Sequence, residues 1–272
     1  MTQIHPSAIV DSQAELAEDV VVGPFCLVGP KVCIGAGTVL RSHVVVEGST
    51  TIGARNVIYA GASIGCHPQD KKYRGEDTRL VVGDDNVIRE NCTMSIGTIQ
   101  DQGLTTVGSR NLFMANAHVA HDCQVGSDVI LANNVALGGH VIVGDHAILG
   151  GQSAAHQFVR IGAYAMVGGA AGVLQDVPPF VMAHLNPAKA AGLNLVGLRR
   201  AGASRETISA FKQAFRLIWR SEMPRSEALD LLANDYANLP QVMEFVDFVR
   251  SSERGLCPAE KNVEKKLDDD AV

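Results

Sequence analysis

Large apolar residues recur at every sixth position from Ile4: Val10, Leu16, Val22, Val28, Ile34, Leu40, Val46, Ile52, Ile58 and Ile64, eleven branched aliphatics without a break. The comb returns at Val82, Ile88 and Met94, slips by one residue, and runs from Val107 through Phe113, Val119, Val125, Leu131, Leu137, Val143, Leu149, Ala155, Ile161 and Val167 to Val173. Two residues before the teeth stand small or β-branched side chains such as Val20, Cys26, Val32, Thr38, Cys92 and Cys123, so both positions face inward. A helix needs a spacing near 3.6 and a half-buried strand needs alternation, whereas a strict six with Gly after many teeth predicts a short strand plus a corner. Three such units close one triangular coil of 18 residues. The pattern predicts a mainly β protein, the hexapeptide form of a left-handed parallel β-helix, forming a rod roughly 40 Å long at one strand spacing per coil.

Two polar, turn-rich stretches, 66–79 (CHPQDKKYRGEDTR) and 98–106 (TIQDQGLTT), cannot supply inward teeth and are expected to leave the coil as loops. The period of six stops after VPPF at 177–180. The expected division is a β-helix over 1–183, an α-helical domain over 184–256 and a solvated, disordered tail over 257–272. Ser204 and Ser226 read as helix N-caps, and Leu239-Pro240 opens a third helix ending near Arg250. Such a domain would cover an open end of the solenoid.

With 272 residues, 46% of them hydrophobic and only 5% aromatic, the core must be built from Val, Ile, Leu and Ala. A net charge of −6 argues against whole-surface attraction to nucleic acid or anionic lipid. Residues 184–220 run against that balance, with seven Lys or Arg and Glu206 as the one acid, so an acidic partner could dock there. No long apolar run or leader-like start occurs, so neither a membrane span nor export is indicated, and a cytoplasmic location is expected. The six cysteines form no CxxC pair and no zinc spacing and are expected to be free thiols.

Histidines gather on successive coils: His118 and His121 in NAHVAHDC, His140 in LGGHVIVG and His156 in AAHQF. Counted from the comb, His121 and His140 fall near corners, where a ligand could reach them. Asp122 lies one coil below His140, and His121 one coil below Gly139. A His beside an Asp is the minimal kit for a general base, because the carboxylate fixes the tautomer and favours the imidazolium formed when a hydroxyl proton is taken. The H-x2-H-x18-H spacing differs from the three-histidine zinc site of gamma-type carbonic anhydrases, so no metal is expected. Cys123 faces inward and is a poor nucleophile, which favours direct transfer aided by a base.

The strings VGPF, PQDKKY, NAHVAHDC, LANNVALGGHV, GGQSAAHQF and VGGAAGVLQDVPP together resemble the UDP-N-acetylglucosamine O-acyltransferase family over about residues 1–256. That resemblance implies a homotrimer with sites in clefts between neighbouring solenoids. It implies transfer of a 3-hydroxyacyl chain from acyl carrier protein to the 3-hydroxyl of UDP-N-acetylglucosamine, the first step of lipid A synthesis, with no cofactor. It makes His121 the general base, Asp122 its orienting partner and the Gly139 N–H an oxyanion donor. It also places Gln69, Asp70, Lys72, His118, His140, His156 and Gln157 against substrate, Asn194 and Arg200 on the nucleotide side, and Gly169 as an acyl-length ruler. The chain departs from the family's His-Arg-Gly-Thr string with Ser95-Ile96-Gly97-Thr98, and has Val196 and Ala201 where an acidic residue and a second Arg are expected. Those departures bear on the acceptor, leaving a 3-amino analogue of the sugar as an alternative. An acetyl-coenzyme A dependent transferase and a non-enzymatic scaffold are the other readings of the same architecture.

Overall fold

The computed structural model describes residues 1–260. Short strands form at the teeth and wind into three sheets of eleven, nine and eight strands around one core. On an undisturbed coil the parallel partners are 18 residues apart, as where Ile130–Leu131 lies beside Ile148–Leu149 and Gln3–Ile4 beside Val21–Val22. The teeth from Val22 onward are buried, as are the positions two before them, including Val20, Cys26, Cys92 and Cys123. Each large tooth adds roughly 1.5–3 kcal/mol by leaving water. Ile4, the first tooth, stays 48% exposed, its strand being paired among the described residues only with Val21–Val22 on one side. All six cysteines are free.

Left-handed residues mark the corners. Asn91, Asn116 and Asn134 share one edge at φ 57°, 63° and 61°, and Asn tolerates this region better than most residues with a Cβ. The hydrogen-bonded amide ladder runs elsewhere, through the buried Asn56, Asn86 and Asn111. Asn56 Oδ1 accepts from the Asn86 backbone N–H and side-chain amide at 2.9 Å, and Asn86 Oδ1 accepts from the Asn111 N–H at 2.9 Å. The Asn86 side chain also donates to the Gly108 carbonyl at 3.0 Å.

The two interruptions leave the coil, and the teeth on either side still pair, with one register shift between Ile64 and Cys66 where Cys66 pairs with Ser95. Ile58 pairs with Ile88, thirty residues on, so the first excursion adds twelve residues. Val82 pairs with Val107, so the second adds seven, which produces the one-residue slip. The second loop is shorter than its composition predicts, because Leu104–Val107 is a strand. Thr105 fills an inward position after all, its hydroxyl satisfied by accepting from the Asp122 N–H at 2.8 Å.

The helical region also begins later than predicted. Val181–His184 continues one sheet and pairs antiparallel with Lys189–Leu193. Ala188, Ala190 and Leu193 are buried there, a near-alternation of strand type that small residues disguised. The helices are α1 (Leu195–Arg200), α2 (Arg205–Arg220), α3 (Arg225–Asp235) and α4 (Pro240–Arg250). Ser204 caps α2 by accepting from the Thr207 N–H at 3.0 Å. Ser226 does not cap α3: Pro224 occupies that place, and Ser226 lies inside the first turn. Phe211 of α2 meets Phe180 at 5.0 Å edge-to-face, which docks the helices on the last coils. The chain past 256 is not free at its start. Cys257 is buried, its carbonyl accepts from Trp219 Nε1 at 2.8 Å, and Ala259 bridges to Ala190. The rest of the predicted tail lies outside the described residues.

Removing the Asn86 side chain leaves the Asn111 N–H and the Gly108 carbonyl on the next coil without that partner, while Asn56 Oδ1 keeps only the backbone N–H of residue 86. Asn86→Ala is expected to cost about 2–5 kcal/mol, since each unpaired buried group costs about 1–3 kcal/mol. The check is the denaturant midpoint, which must fall clearly. An unchanged midpoint would mean the ladder contributes nothing.

Candidate active site

One corner carries Asp122, His140 and Phe158 on three successive coils, all with φ near +60° (59°, 62° and 64°). For His and Phe that conformation is uncommon. Here each is tied to the coil before it: the His140 N–H donates to the His121 carbonyl at 3.0 Å, and the Phe158 N–H to the Gly139 carbonyl at 3.0 Å. The side chains consequently stack. His140 lies flat on Phe158, with centroids 4.3 Å apart and planes 6° apart, and stands edge-on to His121 at 5.1 Å.

Asp122 is 3% exposed, and its oxygens are occupied. Oδ1 accepts from the Thr98 N–H at 2.8 Å; Oδ2 accepts from the Thr98 hydroxyl at 2.6 Å and faces His121 Nδ1 at 2.8 Å. Burial alone would push this carboxyl up, but the bonds from His121 and Thr98 and the nearby His140 outweigh it and hold it below the ordinary range. Asp122 is therefore ionised at neutral pH and can only accept, so the neutral form of His121 carries its hydrogen on Nδ1 and its lone pair on Nε2. Gly139 lies directly over that edge of the ring: a Cβ there would sit 2.6 Å from Cε1 and 2.7 Å from Nε2. Only glycine fits. Among the described residues, nothing accepts a hydrogen bond from the Gly139 N–H.

His121 and His140 open onto a groove of about 730 Å³ that also takes in Gln69, Asp70 and Lys72 of the first excursion, Asp101 of the second, and Gln157 and Phe158. The first excursion is braced by Lys31 to Asp77 at 2.8 Å and by the Lys72 N–H to Asp70 Oδ1 at 2.9 Å. His118 sits on the neighbouring strand, its Nδ1 2.7 Å from the Thr93 hydroxyl. Burial first, and the repulsion that a protonated His121 would exert second, push His118 below its ordinary value, so it is neutral at pH 7. His156 is exposed beside Gln157, whose carbonyl lies 3.1 Å from its Nδ1.

Asn194 and Arg200 are not brought to this groove. They line a second one of about 930 Å³ on another face, with Asp128, His146, Tyr164 and Met166. Asn194 also has a structural task there: its side chain caps α1 through the Gly197 N–H at 2.8 Å and donates to the Tyr164 carbonyl at 2.8 Å. Gly169 is exposed, and a Cβ there would touch only the Gly151 carbonyl, at 3.3 Å. His121, Asp122 and His140 each bring a ligand-type atom within 4.8 Å of the others. Within the trio only His121 and Asp122 are hydrogen-bonded, Asp122 Oδ2 already receiving two donors, and His140 Nε2 stands 3.8 Å off. Sequence reasoning missed Thr98, Thr105, Asp101 and Phe158. Of these, only Phe158 carried a signal, standing 18 residues beyond His140.

Residues 176–257 match the family described as UDP N-acetylglucosamine O-acyltransferase, domain 2, and residues 104–139 match the bacterial transferase hexapeptide repeat. An acyl-[acyl-carrier-protein]--UDP-N-acetylglucosamine O-acyltransferase from Syntrophobacter fumaroxidans is 48% identical over 255 residues, 93% of this chain and 99% of its own. The UDP-N-acetylglucosamine O-acyltransferase structure from Moraxella catarrhalis superposes with a TM-score of 0.90 at 52% identity, covering 93% of this chain and 98% of that one. The Francisella novicida UDP-N-acetylglucosamine acyltransferase gives 0.92 at 36% identity, covering 96% and 95%. No helix among the described residues is long and apolar enough to cross a membrane. With these likenesses running almost end to end, and with the stacked histidine corner in place, the chain belongs to the UDP-N-acetylglucosamine O-acyltransferase family.

Proposed function

We propose that this chain transfers a 3-hydroxyacyl chain from acyl carrier protein to the 3-hydroxyl of UDP-N-acetylglucosamine in lipid A synthesis, with His121 as general base. The observation that carries this reading is the buried, ionised Asp122 at 2.8 Å from His121 Nδ1, which leaves Nε2 as the proton acceptor beside a substrate-sized groove. The sugar hydroxyl gives its proton to Nε2 as its oxygen attacks the thioester carbonyl. The Gly139 N–H is placed to stabilise the oxyanion. Collapse then breaks the carbon–sulfur bond, and the departing carrier thiolate takes the proton back from the imidazolium. Asp122 stabilises that imidazolium without taking its proton. Arg200 suits the nucleotide's diphosphate.

Within one chain Arg200 and His121 open onto different grooves. This supports a site closed between subunits, and hence the homotrimer. The same separation explains why the single chain offers no continuous cleft for the whole nucleotide sugar. A 3-amino sugar as acceptor is the second reading, favoured by Ser95 and Ile96. Both are buried, 1% and 2% exposed, so this segment offers no charged group to the groove.

Mass spectrometry of products from a panel of 3-hydroxyacyl carrier proteins, with UDP-N-acetylglucosamine and its 3-amino analogue, tests both readings. In that assay His121→Ala should lose roughly 10²–10⁴ in kcat, and product formed at the wild-type rate would remove the base. If sites form between subunits, co-refolding the inactive His121→Ala and Arg200→Ala chains should restore part of the activity, because some interfaces then pair two intact halves. No recovery, with trimers present by light scattering, would place each site within one chain. Gly169→Met should shorten the preferred acyl chain by filling open groove, read as the ratio of kcat/KM between long and short donors. An unchanged ratio would remove Gly169 as the ruler.

A further inference from the structure

The second excursion does more than bypass a coil. Thr98, at its start, binds Asp122 through both its N–H and its hydroxyl, and the loop then folds back so that the N–H groups of Asp101 and Gly103 donate to the Thr98 carbonyl at 3.2 and 3.0 Å. That turn brings Asp101 Oδ2 to 2.9 Å from His140 Nδ1. One short loop thus grips the partners of both groove histidines. Phe158 already fixes the plane of the His140 ring by stacking at 4.3 Å. Stacking leaves two things undetermined: which ring nitrogen carries the hydrogen, and which way round the ring lies. A carboxylate only accepts, so Asp101 decides both.

We propose that Asp101 is a positioning residue that holds the Nδ1–H of His140 and so presents Nε2 of that ring to the groove. His140 Nε2 lies 3.8 Å from Asp122 Oδ2, beyond hydrogen-bond reach, so it remains available to a substrate hydroxyl. Without Asp101 the neutral ring gains by protonating Nε2 instead, since that N–H then points toward the Asp122 carboxylate. It would thereby exchange an acceptor for a donor on the groove side. The effect on substrate rests on the acyltransferase reading, whereas the orientation of the ring does not.

The test uses the full chain with ¹⁵N-labelled histidine, His140 being assigned by its loss in His140→Gln. Long-range proton–nitrogen NMR should show the Nδ1–H form in the wild type and in Asp101→Asn, whose amide oxygen still accepts, and a shift toward the Nε2–H form in Asp101→Ala. A kcat/KM for the nucleotide sugar lower by roughly tenfold in Asp101→Ala, and within about twofold of wild type in Asp101→Asn, is the matching kinetic result, the size expected for one bond to a charged group. Retention of the Nδ1–H form in Asp101→Ala would overturn the proposal. So would a tautomer shift that leaves kcat/KM unchanged, as far as substrate is concerned. A wild-type chain without acyltransferase activity would defeat the functional reading, while the NMR comparison would still decide the orientation.

Discussion

Everything in the molecule depends on the closure of one coil in eighteen residues. Because parallel neighbours stack tooth on tooth, a residue's contacts along the rod are fixed by counting, not by the course of the chain. The rule acts on polar groups as firmly as on apolar ones. Asn86 sits over Asn56 for the same reason that Ile88 sits over Ile58. Gly139 covers the imidazole of His121, and His140 rises one coil above Asp122, on the same principle. The cluster of His121, Asp122, Gly139 and His140 is thereby a short column on one edge.

That column could not work with coils alone. A pure solenoid offers flat faces and shallow corners, and Asp122 at an unadorned corner would be solvated and free to turn. The second excursion supplies the difference. Its Thr98 buries the carboxylate under two hydrogen bonds, and Thr105, where the chain rejoins the coil, holds the Asp122 backbone from inside. Burial without those bonds would raise the carboxyl's pKa and weaken it as a partner for imidazolium. Burial with them lowers it. The site therefore combines a rigid column, set by the repeat, with a loop that closes its electrostatics.

The same division explains how much could be read from sequence. The comb was visible because the core imposes it: only large apolar side chains fill a triangular interior, and each must fall at one phase. His121, Asp122, Gly139 and His140 were legible because spacings of 18 report contact in this architecture. Thr98 and Asp101 were not legible, since a loop outside the coil has no period and its side chains find their partners through a turn that spacing does not encode. Thr105 was read as a loop residue for being polar, although an inward Thr is satisfied once it meets a backbone N–H. The strand Lys189–Leu193 escaped notice because KAAGL carries little contrast between its faces, and the chain after 256 looked solvated although Cys257 and Ala259 dock against the strand hairpin and Trp219.

Rigidity of this kind has a consequence for specificity. A rod held by stacked strands is poorly suited to closing around a substrate, which leaves discrimination to shapes already present: the loops that overhang one corner and the glycines that keep the backbone low. Gly139 and Gly169 illustrate two uses of the same residue. At Gly139 a single Cβ would strike the imidazole at 2.6 Å, so the position is closed to change by the column itself. At Gly169 a Cβ would press on one backbone carbonyl, that of Gly151, at 3.3 Å and otherwise meet open space, so a small shift of that carbonyl is all a side chain requires. Within one prism, positions of the first sort hold the stacked side chains in place, and positions of the second sort border open space.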